Sequence, residues 1–217
     1  MTSSDDRYGS VSVVIPMFNA DPWIGEALAS VVGQSHPVYE CVVVDDGSTD
    51  DGPTIVEEFA ASSSLPVHLL RISHVGVSGA RNAGIRATAG DYVAFLDSDD
   101  VWAPQKIERQ VETMRRSAAV ICTTGYAQFD SDTRTVQGVV VGRWPDRTIR
   151  RWLALEGNGL LLSSTGLVRR SALEEVNEFD SRVSICEDLD LVVRLREVGS
   201  ILIDREVLVG YRQHAKQ

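Results

Sequence analysis

Long apolar runs and an excess of positive charge are both missing from this chain of 217 residues. No stretch approaches the roughly 18 consecutive apolar residues of a membrane-spanning helix, and the first ten residues are too polar and acidic for a signal peptide. Lys and Arg number 21 against 31 Asp and Glu, and the resulting net charge of −10 argues against a general nucleic-acid binder. We therefore expect no nucleic-acid partner and no transmembrane segment.

Cysteine is also scarce, which bears on the cellular compartment. The three cysteines, Cys41, Cys122 and Cys186, are odd in number and scattered along the chain. That pattern favours reduced thiols over a disulfide framework, so we predict a cytoplasmic protein. The negative net charge gives no help in binding anionic lipid, although a local basic patch could still do so. A peripheral contact at the inner face of the membrane and a homo-oligomer therefore both stay open.

The first half of the chain alternates regularly between strand and helix signals. Short β-branched apolar runs predict strands buried on both faces, and apolar residues at helical spacing predict the helices between them. We expect Asp21 to cap the first helix and Gly90 to end the third. Such an alternation implies a parallel sheet with helices packed against it. The predicted strands lie at 11–16, within 40–51, at 67–72 and at 91–96, and the predicted helices at 23–34, 52–62, 77–90 and from Pro104 onward.

The rhythm changes after about residue 119, where the segments are more irregular. No Pro/Gly/Ser linker separates the two halves, so we predict one α/β domain over 1–217, with an N-terminal half of about 11–118 and a C-terminal half of about 119–217. The predicted C-terminal elements are an antiparallel strand pair at 119–130 and 135–144, a helix near 147–156, a strand at 164–170, a short helix, a helix at 186–200, and two strands at 201–205 and 207–213.

Carboxylates follow two of the predicted parallel strands. Asp45 and Asp46 end one strand, and the sequence DSDD at 97–100 ends another. Ligands of open α/β sheets bind outside the carboxyl ends of the strands, so both clusters should face one crevice. One alternative is that each aspartate only caps a helix or shapes a turn. However, neighbouring carboxylates repel one another, and a kinked loop could aim Asp97 and Asp99 at one Mg²⁺ or Mn²⁺ ion that carries substrate phosphates.

Two further segments hold candidate functional side chains. Arg81, in the glycine-rich stretch 74–84, is positioned either to bind a diphosphate or to tie its helix to Asp45 or Asp97. Glu187 and Asp188 precede an apolar helix, where acidic side chains favour the helix dipole. A carboxylate in such a place could instead accept a proton from a substrate hydroxyl group as a general base. Both pairs of alternatives stay open on the residues alone.

Four segments in this order, VSVVIPMFN, VVVDDGSTD, GVSGARNAG followed by GDYVAFLDSDD, and ICEDLDLVVRL, resemble a family 2 glycosyltransferase of the GT-A fold. The resemblance runs from about Val11 to His214 and implies a mixed, mostly parallel sheet flanked by helices. The N-terminal half would bind a nucleotide sugar, and the C-terminal half would bind the acceptor and carry the base. The resemblance implies donor binding by Pro16, Phe18, Asn19, Asp46, His74, Arg81, Asp97 and Ser98, metal binding by Asp97, Asp99 and His214, and a catalytic base at Asp188 with Glu187 beside it.

The implied reaction is transfer of a sugar from a nucleoside diphosphate to an acceptor hydroxyl group, with inversion and with Mg²⁺ or Mn²⁺ as cofactor. A UDP-sugar is the expected donor, and the acceptor would be a carbohydrate, a lipid-linked molecule or another glycoconjugate. Many relatives have Asn where His74 stands, at a position that can face the nucleotide base, so the base stays open. The alternatives are a sugar nucleotidyltransferase, which usually shows a basic, glycine-rich loop after the first strand, and a non-catalytic nucleotide-sugar-binding module.

Overall fold

The computed structural model describes residues 9–142, 162–183 and 185–215. Within these ranges, strands and helices alternate through the first half of the chain, as the sequence predicts. The strands are β1 (Val11–Met17), β2 (Glu40–Asp45), β3 (Val67–Arg71), β4 (Tyr92–Phe95), β5 (Val101–Trp102), β6 (Ala119–Asp130), β7 (Val136–Val140), β8 (Leu167–Arg169) and β9 (Ser200–Gln213). The helices are α1 (Ile24–Val32), α2 (Gly52–Ser62), α3 (Val77–Ala87), α4 (Lys106–Arg115), α5 (Leu162–Thr165), α6 (Arg170–Glu175) and α7 (Glu187–Val198).

All these strands form one mixed sheet in the order β3-β2-β1-β4-β8-β6-β9-β5, and β7 pairs with β6. β1 lies parallel to both β2 and β4, and β3 lies parallel to β2. β8 then runs antiparallel to β4 and β6, and β5 runs antiparallel to β9. Mixed α/β architecture is therefore confirmed, with the parallel block in the N-terminal half and most of the antiparallel pairs in the C-terminal half.

Helices cover both faces of the central strands, which is why those strands are apolar without interruption. Every residue of β1 and β4 is buried. Val13 and Ile15 of β1 pack in one core cluster with apolar side chains of α1 and α4. Val14, which points to the other face, packs in a second cluster with α3 and α7. Strands covered on both faces have no solvent side to alternate toward.

Three local predictions in the N-terminal half are wrong. Asp21 does not cap α1, which begins only at Ile24, because the amides of Trp23 and Ile24 both bond to the carbonyl of Ala20 in a preceding turn. Gly90 does not end α3, which stops at Ala87. Gly90 instead lies against β1, where a Cβ atom would come within 2.6 Å of the Ser12 hydroxyl. Its missing side chain serves close packing and not a helix end.

In the C-terminal half, the antiparallel pair β6–β7 is confirmed. The two predicted final strands are instead one continuous strand, β9, whose register against β6 shifts within it. The strand predicted at 164–170 begins only at Leu167, because Ser164 and Thr165 belong to α5. The helix predicted near 147–156 lies outside the described residues. None of the helices in the described ranges is both long enough and apolar enough to cross a bilayer.

Candidate active site

A cavity of about 420 Å³ opens at the carboxyl ends of β1, β2 and β4. The rule for parallel sheets predicts a ligand site at this edge. Asn19, Glu187, Asp188 and His214 are not among the lining residues, but the last three contact residues that are. The cavity is lined by Pro16, Met17, Phe18, Asp46, His74, Gly76, Val77, Ala80, Arg81, Asp97, Ser98, Asp99 and Tyr211.

A second, larger cavity of about 980 Å³ opens near the amino ends of the same strands. Its wall includes Gly9, Tyr39, Asp91 and Glu112. No residue that the sequence singles out for function lines this second cavity. The chemistry therefore has to be sought at the carboxyl edge of the sheet, in the smaller cavity.

The loop 97–100 turns its carboxylates in different directions, and Asp99 faces His214. Oδ2 of Asp99 lies 3.0 Å from Nε2 of His214. The imidazole stacks on the indole of Trp23, with ring centroids 3.9 Å apart. Burial raises the pKa of Asp99, and the negative charge of Asp97 raises this pKa further, whereas the bond to His214 lowers it. Two groups capable of binding a metal ion are thus already in contact.

Asp100 points into the protein and serves the fold. Its Oδ2 accepts a hydrogen bond of 2.5 Å from the Ser164 hydroxyl, and its Oδ1 accepts one of 3.0 Å from the Arg212 backbone amide. Burial raises the pKa of Asp100 well above its ordinary value, and the charges of Asp97 and Asp99 add to this effect. The Ser164 hydroxyl also accepts the amide of Asp97 at 3.1 Å. Asp100 therefore fastens the acidic loop to α5 and β9.

Arg81 lies at the centre of the remaining carboxylates. Its guanidinium is almost fully buried, with 3% of the side chain exposed. Nη2 donates to Oδ1 of Asp97 at 2.8 Å, and Nη1 donates to Glu187 at 2.8 Å and to Asp188 at 3.2 Å. Nε is buried and has no hydrogen-bond partner in the described part of the chain. The predicted tie between α3 and Asp97 is therefore present, and it extends to the start of α7.

Asp188 lies beside the acidic loop without capping its own helix. α7 begins after Cys186 and has no side-chain cap bond. Oδ2 of Asp188 instead accepts the backbone amide of Ser163 at 3.0 Å, from α5. Burial raises the pKa of Asp188; Arg81 opposes this increase, and the charges of Asp97 and Glu187 add to it. A buried carboxylate with a raised pKa, beside a cavity, is typical of a functional group.

The other end of the cavity is formed by Asp46, His74 and Phe18. The Asp46 carboxylate accepts the backbone amides of Val75 at 2.7 Å and Gly76 at 2.8 Å. The Phe18 and His74 rings lie with centroids 4.5 Å apart. This end presents aromatic surface, whereas the end at Asp97 and Asp99 presents carboxylates. The cavity therefore has one face suited to a flat ring and one suited to a cation and phosphate.

Sequence reasoning missed the residues that hold this arrangement together. Arg212 is buried; its Nε donates to the Asp99 carbonyl at 2.6 Å and its Nη2 donates to Glu26 at 2.8 Å. Asn19, which the sequence assigned to the donor, accepts the Thr49 amide at 2.8 Å through its side chain. Only the run GYRQH, which includes Arg212, gave any sequence signal. Contacts such as that of Glu26 join distant parts of the chain and carry no local pattern.

The carboxylates suit a metal ion that arrives with phosphate. In residues 9–142, 162–183 and 185–215, no three or more His, Cys, Asp and Glu side chains form a ready metal site. Asp99 contacts His214, and Asp97 and Asp99 line the same cavity. Mg²⁺ is commonly held by one or two carboxylates, with water and substrate phosphates completing its ligands. The donor set fits an ion of this kind better than a fully protein-bound ion.

Comparisons with known proteins agree with this geometry. The model of the family described as glycosyl transferase family 2 matches residues 12–176. An uncharacterized glycosyltransferase of Nostoc sp. strain PCC 7120 is 32% identical over 208 residues, which cover 94% of this chain and 65% of that protein. TuaG of Bacillus subtilis, named as a candidate glycosyltransferase of teichuronic acid biosynthesis, is 37% identical over 123 residues, which cover 56% of this chain and 48% of that protein. The chain thus spans at most about two thirds of these relatives.

Solved structures share the fold. The crystal structure of S. aureus TarS 1–349 in complex with UDP-GlcNAc superimposes with a TM-score of 0.75 at 22% identity, covering 96% of this chain and 60% of that one. The same TarS fragment in complex with UDP gives a TM-score of 0.74. The predicted GT-A architecture is thereby confirmed.

Proposed function

The chain belongs to glycosyl transferase family 2, and on that premise we propose that it transfers a sugar from a nucleoside diphosphate sugar to an acceptor hydroxyl group. The observation that carries this proposal is the cavity with two chemically different ends. Phe18 and His74 offer ring surface for a nucleobase, and Asp97 and Asp99 offer carboxylates for a cation bound to diphosphate. The proposed donor is a UDP-sugar, supported by the UDP and UDP-GlcNAc complexes of the structurally similar TarS.

The reaction we propose is a single displacement with inversion. Asp188 accepts the proton of the acceptor hydroxyl group while its oxygen forms a bond to the anomeric carbon. The bond from that carbon to the diphosphate oxygen breaks, and the nucleoside diphosphate leaves with the electron pair. Support comes from the place of Asp188: it is buried, has a raised pKa and lies within 3.2 Å of Arg81, which lines the donor cavity. Glu187 shares the same guanidinium and is the alternative base.

Asp97, Asp99 and His214 would hold Mg²⁺ or Mn²⁺. A bound divalent ion would stabilise the negative charge that develops on the leaving diphosphate. Arg212 would keep the Asp99 main chain in place, because its guanidinium bonds the Asp99 carbonyl. Arg81 would add a second positive charge near the diphosphate, and its unpartnered Nε is the atom available for a further hydrogen bond.

The acceptor that we propose is a carbohydrate, a lipid-linked molecule or another glycoconjugate. The proposed location is the cytoplasm, with membrane contact at its inner face left open. Support for the location comes from the cysteines: Cys41, Cys122 and Cys186 are all free thiols, which suits a reducing compartment.

The test is a panel of sugar nucleotides incubated with the protein and Mn²⁺, with release of the nucleoside diphosphate measured. Release from at least one sugar nucleotide, lost on addition of EDTA, is the expected result. Formation of pyrophosphate from a nucleoside triphosphate and a sugar phosphate would indicate a nucleotidyltransferase instead. Binding of a sugar nucleotide without turnover against any acceptor of the panel would favour a binding module.

A further inference from the structure

The orientation of the His74 ring fixes which of its nitrogens carries hydrogen. Nδ1 lies 2.9 Å from the main-chain carbonyl oxygen of Asp46 and 3.0 Å from the Oδ2 atom of the same residue. A carbonyl oxygen can only accept a hydrogen bond, and the Asp46 carboxylate already accepts the amides of Val75 and Gly76. Nδ1 must therefore be the donor, and it carries the proton.

It follows that Nε2 of the neutral ring is a hydrogen-bond acceptor with an exposed lone pair. A neutral imidazole holds one hydrogen only, so Nδ1–H leaves Nε2 bare. The His74 side chain is 61% exposed, it lines the donor cavity, and Nε2 has no hydrogen-bond partner among the residues described. Nε2 is also the ring nitrogen that is not turned toward Asp46.

The surrounding loops hold His74 in this orientation before any ligand binds. Gly47 has a φ of +83°, a left-handed conformation that favours glycine, and a Cβ atom there would lie 3.4 Å from the His74 amide nitrogen. The turn after β2 therefore passes close against residue 74. Because the Asp46 carboxylate also bonds the amides of residues 75 and 76, the two loops form one unit. The Phe18 ring, 49% exposed as a residue, packs against the imidazole on the cavity side.

We propose that His74 selects the donor by its base, through Nε2 accepting a ring N–H of uracil, thymine or guanine. Those bases carry a ring N–H on their pairing edge, whereas cytosine and adenine present a lone pair at the corresponding position. Two lone pairs facing each other repel, and each polar group loses its bond to water. The inference rests on the proposed function, which places a nucleoside diphosphate in this cavity, and adds to it the class of base.

The sharpest comparison is UDP with CDP, because the two pyrimidines have the same size and the same diphosphate. Binding of UDP, GDP, CDP and ADP to the parent is measured by calorimetry with Mn²⁺ at pH 8.5, where histidine is ordinarily neutral. The expected dissociation constant of UDP is about tenfold lower than that of CDP, as one hydrogen bond at a partly exposed site would give. GDP should bind more tightly than ADP for the same reason.

Two variants separate hydrogen bonding from ring stacking. His74→Phe keeps a ring beside Phe18 but removes the acceptor, so the UDP-to-CDP ratio should fall to within about twofold through loss of UDP affinity alone. His74→Gln carries an amide that can rotate to donate or accept, so the ratio should fall while both affinities stay measurable. The matched control is His68→Phe, at an exposed position of β3 outside the cavity wall, which should leave the ratio unchanged.

The outcomes distinguish this inference from the function on which it rests. Failure of the parent to bind any of the four nucleotides would overturn the proposed function, and the role of His74 with it. Binding of nucleotides with CDP equal to or tighter than UDP would overturn the inference alone. A ratio that stays at its parental value in both His74 variants would do the same, because another group would then be reading the base.

Discussion

Arg81 and Asp188 meet across the candidate active site, with Nη1 of the guanidinium 3.2 Å from Oδ1 of the carboxylate. They come from α3 and α7, two helices far apart in the chain. Burial favours the protonated form of Asp188, whereas the positive charge of Arg81 favours the ionised form. A general base must be ionised to act, so Arg81 would keep the proposed base in its working state.

Arg81→Gln should move the acid limb of activity to higher pH. Loss of the positive charge removes an influence that lowers the pKa of Asp188, so a higher pH is needed to ionise the base. The expected displacement of the acid limb of kcat/KM is roughly 1–3 pH units, the usual effect of an opposite charge at this distance. Arg81→Lys, which keeps a charge, is the control and should leave the limb near its parental position. An unmoved acid limb in a folded Arg81→Gln protein would contradict this account.

Donor binding should depend on a divalent ion through Asp99. Asp99→Ala should weaken binding of a nucleoside diphosphate at least tenfold in the presence of Mn²⁺, because a carboxylate ligand is lost. EDTA should weaken binding to the parent to a similar extent. The matched control is Asp132→Ala, an exposed position in the turn between β6 and β7. Calorimetry that gives equal affinities with and without Mn²⁺ would rule out a metal-dependent donor site.

The elements that the sequence predicts best are those whose pattern is local. The apolar run at 11–16 and the stripe at 52–62 correspond to β1 and α2, because continuous burial and helical periodicity are written in neighbouring residues. Helix ends were less predictable. Asp21 and Gly90 suit helix caps by residue type, but a turn at Ala20 and close packing on Ser12 decide their actual places.

The candidate site shows the same division. That strand ends meet at one edge of a parallel sheet was enough to predict that Asp46 and Asp97 share a cavity. The bonds from Ser163 to Asp188 and from Ser164 to Asp100 were not predictable, because α5 reaches the acidic loop only after β8 and β6 have extended the sheet. Tertiary packing sets such contacts, and no spacing in the sequence encodes them.

Lys106 should make the stability of the protein depend on pH. Its ammonium group is fully buried, contacts the Trp102 ring at 4.0 Å and donates to Gln110 at 2.8 Å. Burial lowers its pKa from 10.5 to about 7. Between these two values the unfolded chain binds the proton more readily than the folded protein, so the free energy of unfolding rises as the pH rises from about 7 to about 10.5.

The variant Lys106→Met isolates this contribution, because Met is similar in length and has no charge. Urea unfolding of parent and variant at pH 6.5 and pH 9.5 gives four free energies. The parent should gain on the order of 3 kcal/mol relative to the variant between the two pH values. Equal pH dependence of both proteins would show that Lys106 stays charged in the folded state, with its charge satisfied by Trp102 and Gln110.

The proposed role of Asp188 is distinguished from a structural one by how the side chain is bonded. No side chain caps α7, and Oδ2 of Asp188 accepts its hydrogen bond from Ser163 on another helix. An asparagine can accept the same bond through its amide oxygen, so Asp188→Asn preserves the contact to α5 and removes the charge. The substitution therefore separates the acceptance of a proton from the holding of the fold.

Asp188→Asn should lower turnover by roughly 10²- to 10⁴-fold, which is the usual contribution of general-base catalysis. Donor affinity should change little, because the base acts when the acceptor hydroxyl group attacks and contributes to the transition state far more than to donor binding. The matched control is Asp190→Asn on the same helix, which breaks the ion pair with Arg194 but leaves the cavity intact. Both variants are compared with the parent by steady-state kinetics and by Tm. If a folded Asp188→Asn protein kept more than about a tenth of parental turnover, well above that range, the base would have to be sought at Glu187, which shares the Arg81 guanidinium.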